Sequence, residues 1–159
     1  MRDLMERQLQ NLYSSEALIL VAFTEMLDHA SDGGLRDIIE AHIAITHYQK
    51  VRLERIGEYL HLRMVINDGK IILGLLGEIH DLCGEFPKSA LLDVGITAKI
   101  QHIQHFQISA YETAKLYAKN LDLVEIEVIL DDTLDEAYGA DEECSRHVKA
   151  LLRDYRGRH

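Results

Sequence analysis

Leu9-Gln10-Asn11-Leu12-Tyr13-Ser14-Ser15-Glu16-Ala17-Leu18-Ile19-Leu20-Val21-Ala22-Phe23 is the stretch on which the fold turns. Leu9, Leu12/Tyr13, Leu20 and Phe23 recur at intervals of three and four, the repeat of an amphipathic helix. Leu27 continues the stripe, so the pattern predicts a helix from about Asp3 to Ala30. In the middle of the apolar face stands Glu16. A carboxyl group there has no cheap route to water and needs a cation, a metal or a hydrogen-bond donor.

Outward from this stretch the same period repeats. Ser31-Asp32-Gly33-Gly34 breaks the first helix, with glycines for the turn and Asp32 as the cap of the next. A second helix follows from about Leu35 to Leu60, with Leu35, Ile38/Ile39, Ile45, Leu53, Ile56 and Leu60 on one face. Asn67-Asp68-Gly69 is a turn. A short helical piece from about Lys70 to Cys83 ends at Glu85-Phe86-Pro87. Ser89 opens a third long helix, about Ala90 to Lys119, and Asn120-Leu121-Asp122 separates it from a fourth, about Leu123 to Tyr155. The first and second long helices have a short connection, and so do the third and fourth; each pair forms an antiparallel hairpin. The long link carrying its own short helix is the crossover of a ferritin-like bundle. The expected fold is all-α: a four-helix bundle of two hairpins in one domain spanning residues 1–159.

Composition agrees and excludes other classes. One proline in 159 residues suits long unbroken helices. A formal net charge of −10 argues against nucleic acid or an anionic membrane surface as a partner, because phosphates would be repelled. No apolar run is long enough to span a bilayer. The N-terminus, Met1 to Arg7, is charged and lacks a signal-peptide core. Cys83 and Cys144 are far apart, read as small apolar packing residues, and suit a reducing cytoplasm. There is no Gly-rich phosphate loop, no G-x-S-x-G elbow and no H-E-x-x-H pair.

The polar residues that interrupt the stripes carry the functional argument. Glu16 does so on the first helix and His42 and Gln49 on the second. Gln104, Gln107 and Tyr111 share a strip on the third, with His105 at its flank. Asp132, Glu136, Glu143 and His147 align loosely on the fourth, and Glu136 lies between Thr133 and Ala140. Any one of these alone reads as an ordinary satisfied core group. Four helices each contributing one point to a single polar layer across the bundle. His29, His61 and His159 sit near helix ends, and His47 and His80 read as solvent-facing, so none of these five is expected to bind metal. Arg52 is expected to pair with an acid, and the Asp131-Asp132 and Glu142-Glu143 runs are expected to be solvated.

At these residues the chain resembles the YciE/YciF group of bacterial ferritin-like proteins. The matching pieces are Asn11-Leu12-Tyr13-Ser14-Ser15-Glu16; His42 with Thr46, Gln49, Arg52 and Leu53; His105 with Tyr111; and Thr133-Leu134-Asp135-Glu136 with Asp141-Glu142. The resemblance implies a helical bundle, commonly dimeric, linked to stress conditions, with a di-metal site at its centre. The chain departs from the pattern at that site. Ile45, Gln104, Gln107 and Ala137 stand where the family usually has carboxylates. Two divalent ions in a low-dielectric core need more negative charge than two acids supply. Glu→Gln keeps the shape and the hydrogen bonding while removing a charge, as expected where metals have been lost. The resulting expectation is a non-catalytic, stress-associated structural or interaction protein without a cofactor and with a degenerate metal site, forming a homodimer. The alternative is a metal-binding protein or metal-dependent oxidoreductase that keeps one iron, manganese or zinc ion on Glu16, His42, His105 and Glu136. In either case Gln49, Gln104, Gln107 and Tyr111 are expected to belong to the core polar layer. A third reading is a helical module that binds a partner through an exposed apolar patch.

Overall fold

The structure, a computed structural model, describes residues 1–157. His159 lies outside the described residues. Five helices follow one another: α1 (Arg2–His29), α2 (Gly33–Leu60), α3 (Lys70–Glu85), α4 (Ala90–Asn120) and α5 (Val124–Gly157). Asp32 caps α2 as its sequence position suggests, its carboxylate accepting the Leu35 amide at 2.8 Å. Ser89 caps α4 in the same way through the Leu92 amide. The α4–α5 turn is tight, with Asp122 in the left-handed region at φ 55° and the Leu123 amide bonded to the Ala118 carbonyl.

Side-chain ties fix the directions of the helices. Arg2 reaches the Leu60 carbonyl and Tyr13 bonds Glu54, so α1 and α2 run antiparallel. Gln101 with Ser145 and Lys115 with Asp131 make α4 and α5 antiparallel. Gln8 to Ala110 and Ser31 to Asp93 make α1 and α4 antiparallel, and Arg52 to Glu136 and Tyr59 to Glu125 do the same for α2 and α5. The order is therefore up, down, down, up, which requires a connection that climbs the full bundle between α2 and α4. Residues 61–69 begin that climb, tied to α1 by Val65 and Asn67 bonds to Ser14. α3 completes it against α1 and α4, through His80 with Glu25, Lys99 with Glu78, and Leu82 packed on Gly95.

The core has two apolar parts. One joins Ile19, Phe23, Met26, Leu35, Ile39, Ile72, Ile79, Leu92, Ile96 and Ile100 at the end where α3 packs. The other joins Met5, Leu9, Leu12, Leu53, Ile56, Ala114, Ile126 and Leu130 at the opposite end. Each fully buried large aliphatic side chain contributes about 1.5–3 kcal/mol. Between the two parts lie Glu16, His42, Thr46, Gln49, Gln104 and Gln107, all buried.

The expected stripes hold with small rotations. On α1 the innermost residues are Ile19 and Met26 rather than Leu20 and Leu27, because α1 packs on α2, α3 and α4 together and buries a wider arc. On α2 Thr46 is buried and Ile45 half-buried. On α5 the face turns toward Ala137, Cys144 and Leu151, which moves Glu136 from the centre to the α2–α5 seam.

Candidate functional site

Glu16 is fully buried on α1, opposite α4. The Tyr111 hydroxyl donates to its Oε1 at 2.8 Å, and the Gln107 amide donates to both carboxylate oxygens at 3.1 and 2.9 Å. The same Gln107 amide also donates to Gln49 Oε1 at 3.2 Å, which draws in α2. Burial pushes the Glu16 carboxyl up to about 7, while the bonds from Tyr111 and Gln107 and the more distant Lys50 charge pull the other way. The donors suit an ionised, acceptor-only carboxylate, and the loss of water opposes it. Tyr111 is held well above the ordinary phenol range by burial and by the adjacent Glu16, so it stays a donor.

His42 forms a second buried pair. Its Nδ1 lies 2.8 Å from the Ile38 carbonyl, which assigns the proton to Nδ1 and leaves Nε2 as an acceptor. The Gln104 amide nitrogen meets that Nε2. Burial lowers the His42 pKa and keeps the ring neutral. Phe23 packs edge-on against it, with ring centroids 5.3 Å apart. Gln104 Oε1 is buried without a hydrogen-bond partner.

The fourth helix contributes differently. Glu136 is bound two-pronged by Arg52, both bonds 2.7 Å, with the two side chains about one-quarter and one-third exposed. Arg52 thus pairs with an acid, as its position suggests. His105 lies on the surface beside Asp141, at 3.2 Å. Of the four expected ligands, Glu16 and His42 are therefore buried in the layer, Glu136 is occupied by a cation at its edge, and His105 is outside it. Among the described residues, no three or more His, Cys, Asp or Glu side chains come together in a group able to hold a metal ion. A di-metal centre of the ferritin type does not fit these donors: Glu16, the carboxylate buried in the layer, already accepts three hydrogen bonds from the protein, and Gln107 faces it where further negative charge is needed. Gln49, Gln104, Gln107 and Tyr111 are all buried, as expected of the layer.

Some structurally important polar residues escape the sequence reading. Asp93, on the first turn of α4, is buried and accepts from the Ser31 amide (2.8 Å), the Ser31 hydroxyl (2.6 Å) and the Asp32 amide (3.0 Å). His147, by contrast, is among the polar residues the sequence aligns on the last helix, and it approaches Asp32 at 3.0 Å rather than joining the layer. The signal for Asp93 was its place four residues after the Ser89 cap, where an acid also favours the helix N-terminus. Its partner lies some sixty residues away, which periodicity does not reveal. His29, His47, His61 and His80 are surface or half-buried residues, and His80 is tied to Glu25. Asp131, Asp132, Glu142 and Glu143 are exposed, and Cys83 and Cys144 are buried free thiols.

Comparison with known proteins completes the picture. Residues 1–156 match the family described as Domain of unknown function (DUF892). Protein YciF of Escherichia coli strain K12 is 25% identical over 141 residues, covering 87% of this chain and 84% of that one. The crystal structure of the Escherichia coli stress protein YciF superposes with a TM-score of 0.91 at 22% identity, over 96% of each chain. YcfI of Rhodopseudomonas palustris, a protein of proposed structural role, gives 0.87 at 27% identity over 91% of this chain and 92% of that one. A Xanthomonas campestris protein gives 0.76 at 19% identity, over 99% and 96%. With its up-down-down-up bundle and a family match across nearly its whole length, the chain belongs to the DUF892 family of YciF-like proteins with the ferritin-like fold.

Proposed function

We propose that this protein is a non-catalytic, stress-associated structural or interaction protein in which the ancestral metal centre of the bundle has become a hydrogen-bonded polar layer. The observation that carries this reading is the state of the two surviving acids. Glu16 is held by Gln107 and Tyr111, and Glu136 by Arg52, so both are answered by the protein's own donors. The stress association leans on the Escherichia coli relative and the structural role on the one proposed for the Rhodopseudomonas protein. A homodimer fits the family resemblance, and light scattering at micromolar concentration tests it: a monomer removes that part of the proposal. Buried free thiols suit a reducing compartment, and among the described residues no helix is long and apolar enough to cross a membrane.

The second reading, a residual single-metal site and a metal-dependent activity, has one observation in its favour: the unpartnered Gln104 Oε1 beside His42. Elemental analysis of protein expressed with added iron, manganese and zinc separates the two. The first reading expects no stoichiometric metal and no change in thermal stability on adding metal, since an ion bound only by the native state must stabilise it. Stoichiometric metal that disappears in Glu16→Ala and Glu136→Ala variants overturns it.

A further inference from the structure

α3 covers only part of the seam between α1 and α4, because it begins at Lys70 and runs toward the Ser31 end of the bundle. The uncovered part is a cleft of about 630 Å³, bounded by α1, α4 and the first residues of α3. This lies within the range of small-molecule sites, roughly 300–1,000 Å³. Its surface is mostly apolar, with Leu12 buried on the α1 side, Phe106 and Ala110 half-buried on the α4 side, and Ile71 of α3 70% exposed beside them.

The charge of the cleft is opposite to that of the molecule. The chain carries a net charge of −10, yet the cleft is lined by two cations, Arg7 and Lys70, and one acid, Asp68. Arg36, Arg52, Lys99 and Lys115 are engaged by carbonyls or carboxylates within the fold. The side chains of Arg7 and Lys70, like those of Arg55, Arg63 and Lys88 elsewhere on the surface, make no hydrogen bond or ion pair among the described residues. Two unpaired cations beside an apolar concavity, on an otherwise acidic protein, match a ligand that carries a negative head on an apolar body. An anion bound there gains attraction from both cations, strengthened where the walls exclude water, and its body covers the exposed apolar surface.

We propose that this cleft binds a small free amphipathic carboxylate. The site lies on the outer side of α1 and α4 and shares no residue with the buried layer, so it stands or falls independently of the metal question.

The test is a titration of the ¹⁵N-labelled full chain with decanoate below its micelle-forming concentration, followed by amide shifts. Decanol, with the same body and no charge, and inorganic phosphate, an anion with no body, are the comparison probes. The expected result is saturable shifts confined to residues 7–15, 67–71 and 106–113. Decanoate should bind more tightly than decanol, and phosphate most weakly. The double variant Arg7→Glu/Lys70→Glu should weaken decanoate about tenfold or more and leave decanol unchanged. All three substituted or blocked positions are exposed, so these variants keep the fold. Ser109→Trp, on the rim, should block both decanoate and decanol by filling the cleft. Absence of saturable shifts, shifts located elsewhere, or decanoate affinity unchanged by charge reversal overturns the proposal. So does an oligomer of the free protein that Ser109→Trp converts to monomer, because the cleft then belongs to a second copy of the chain.

Discussion

Glu16 concentrates the residue-scale physics of this protein. An isolated buried carboxylate costs several kcal/mol, and two kinds of relief are available: donated hydrogen bonds and a proton. The structure uses the first and holds the second close, since burial raises the carboxyl from 4.5 to about 7. The folded state therefore binds a proton that the unfolded chain has released across that window. Through this group, folding stability falls as pH rises from about 4.5 to about 7 and levels off above it. The full effect is at most ~3 kcal/mol. Urea unfolding at pH 5 and pH 8 measures it: Glu16→Gln should remove this loss, so the variant gains on the wild type as pH rises. Parallel profiles for the two proteins contradict the assignment. The Arg52–Glu136 pair behaves differently. Both groups reach solvent, so the pair orients the seam more than it stabilises the fold.

At the scale of elements, the joints between helices are more demanding than the helices. Asp93 gathers two amides and a hydroxyl of the α1–α2 turn onto the start of α4. Asp93→Ala removes three hydrogen bonds to a turn where Ser31 is exposed and Asp32 half-buried, so water can reach the freed donors, and it should cost ~1–2 kcal/mol in urea unfolding, with Asp93→Asn costing less. The entry to α3 is equally constrained. Gly69 sits at φ +42°, and a Cβ there would lie 2.7 Å from Leu18 Cδ1. Gly69→Ala should therefore destabilise by ~1–3 kcal/mol through backbone strain and a displaced Leu18, with hydrogen exchange rising first around residues 67–73. Exchange unchanged in that segment would count against the close approach. The rotation of α5 belongs to this scale too. Thr133 and Ala137 turn inward, so Glu136 moves one position off the face that its spacing suggested and meets Arg52.

For the whole molecule, the polar layer divides one core into two apolar parts, and the direction of its contribution can be measured. Removing one partner should hurt more than removing all. Gln107→Leu strips Glu16 of a donor and should cost ~2–4 kcal/mol, whereas Glu16→Leu/Gln49→Leu/Gln107→Leu/Tyr111→Phe together should be neutral or stabilising at pH 8. A quadruple variant less stable than Gln107→Leu would show that the layer stabilises the bundle outright. The sequence by itself determined the five helices, their caps, the two hairpins, the crossover and the presence of a polar layer. These depend on local periodicity and on turn residues such as Asp32, Ser89 and Gly69, which act within a few positions along the chain. It also brought out Glu16 and His42, because a lone polar residue in a long apolar stripe is visible in one dimension. Tertiary structure alone decided what those groups touch: Glu16 with Tyr111 and Gln107, His42 with Gln104, Glu136 with Arg52, and His105 at the surface. A rotation of one helix by a third of a turn leaves its stripe nearly unchanged yet exchanges one long-range partner for another, and only the packing of four helices at once fixes that angle.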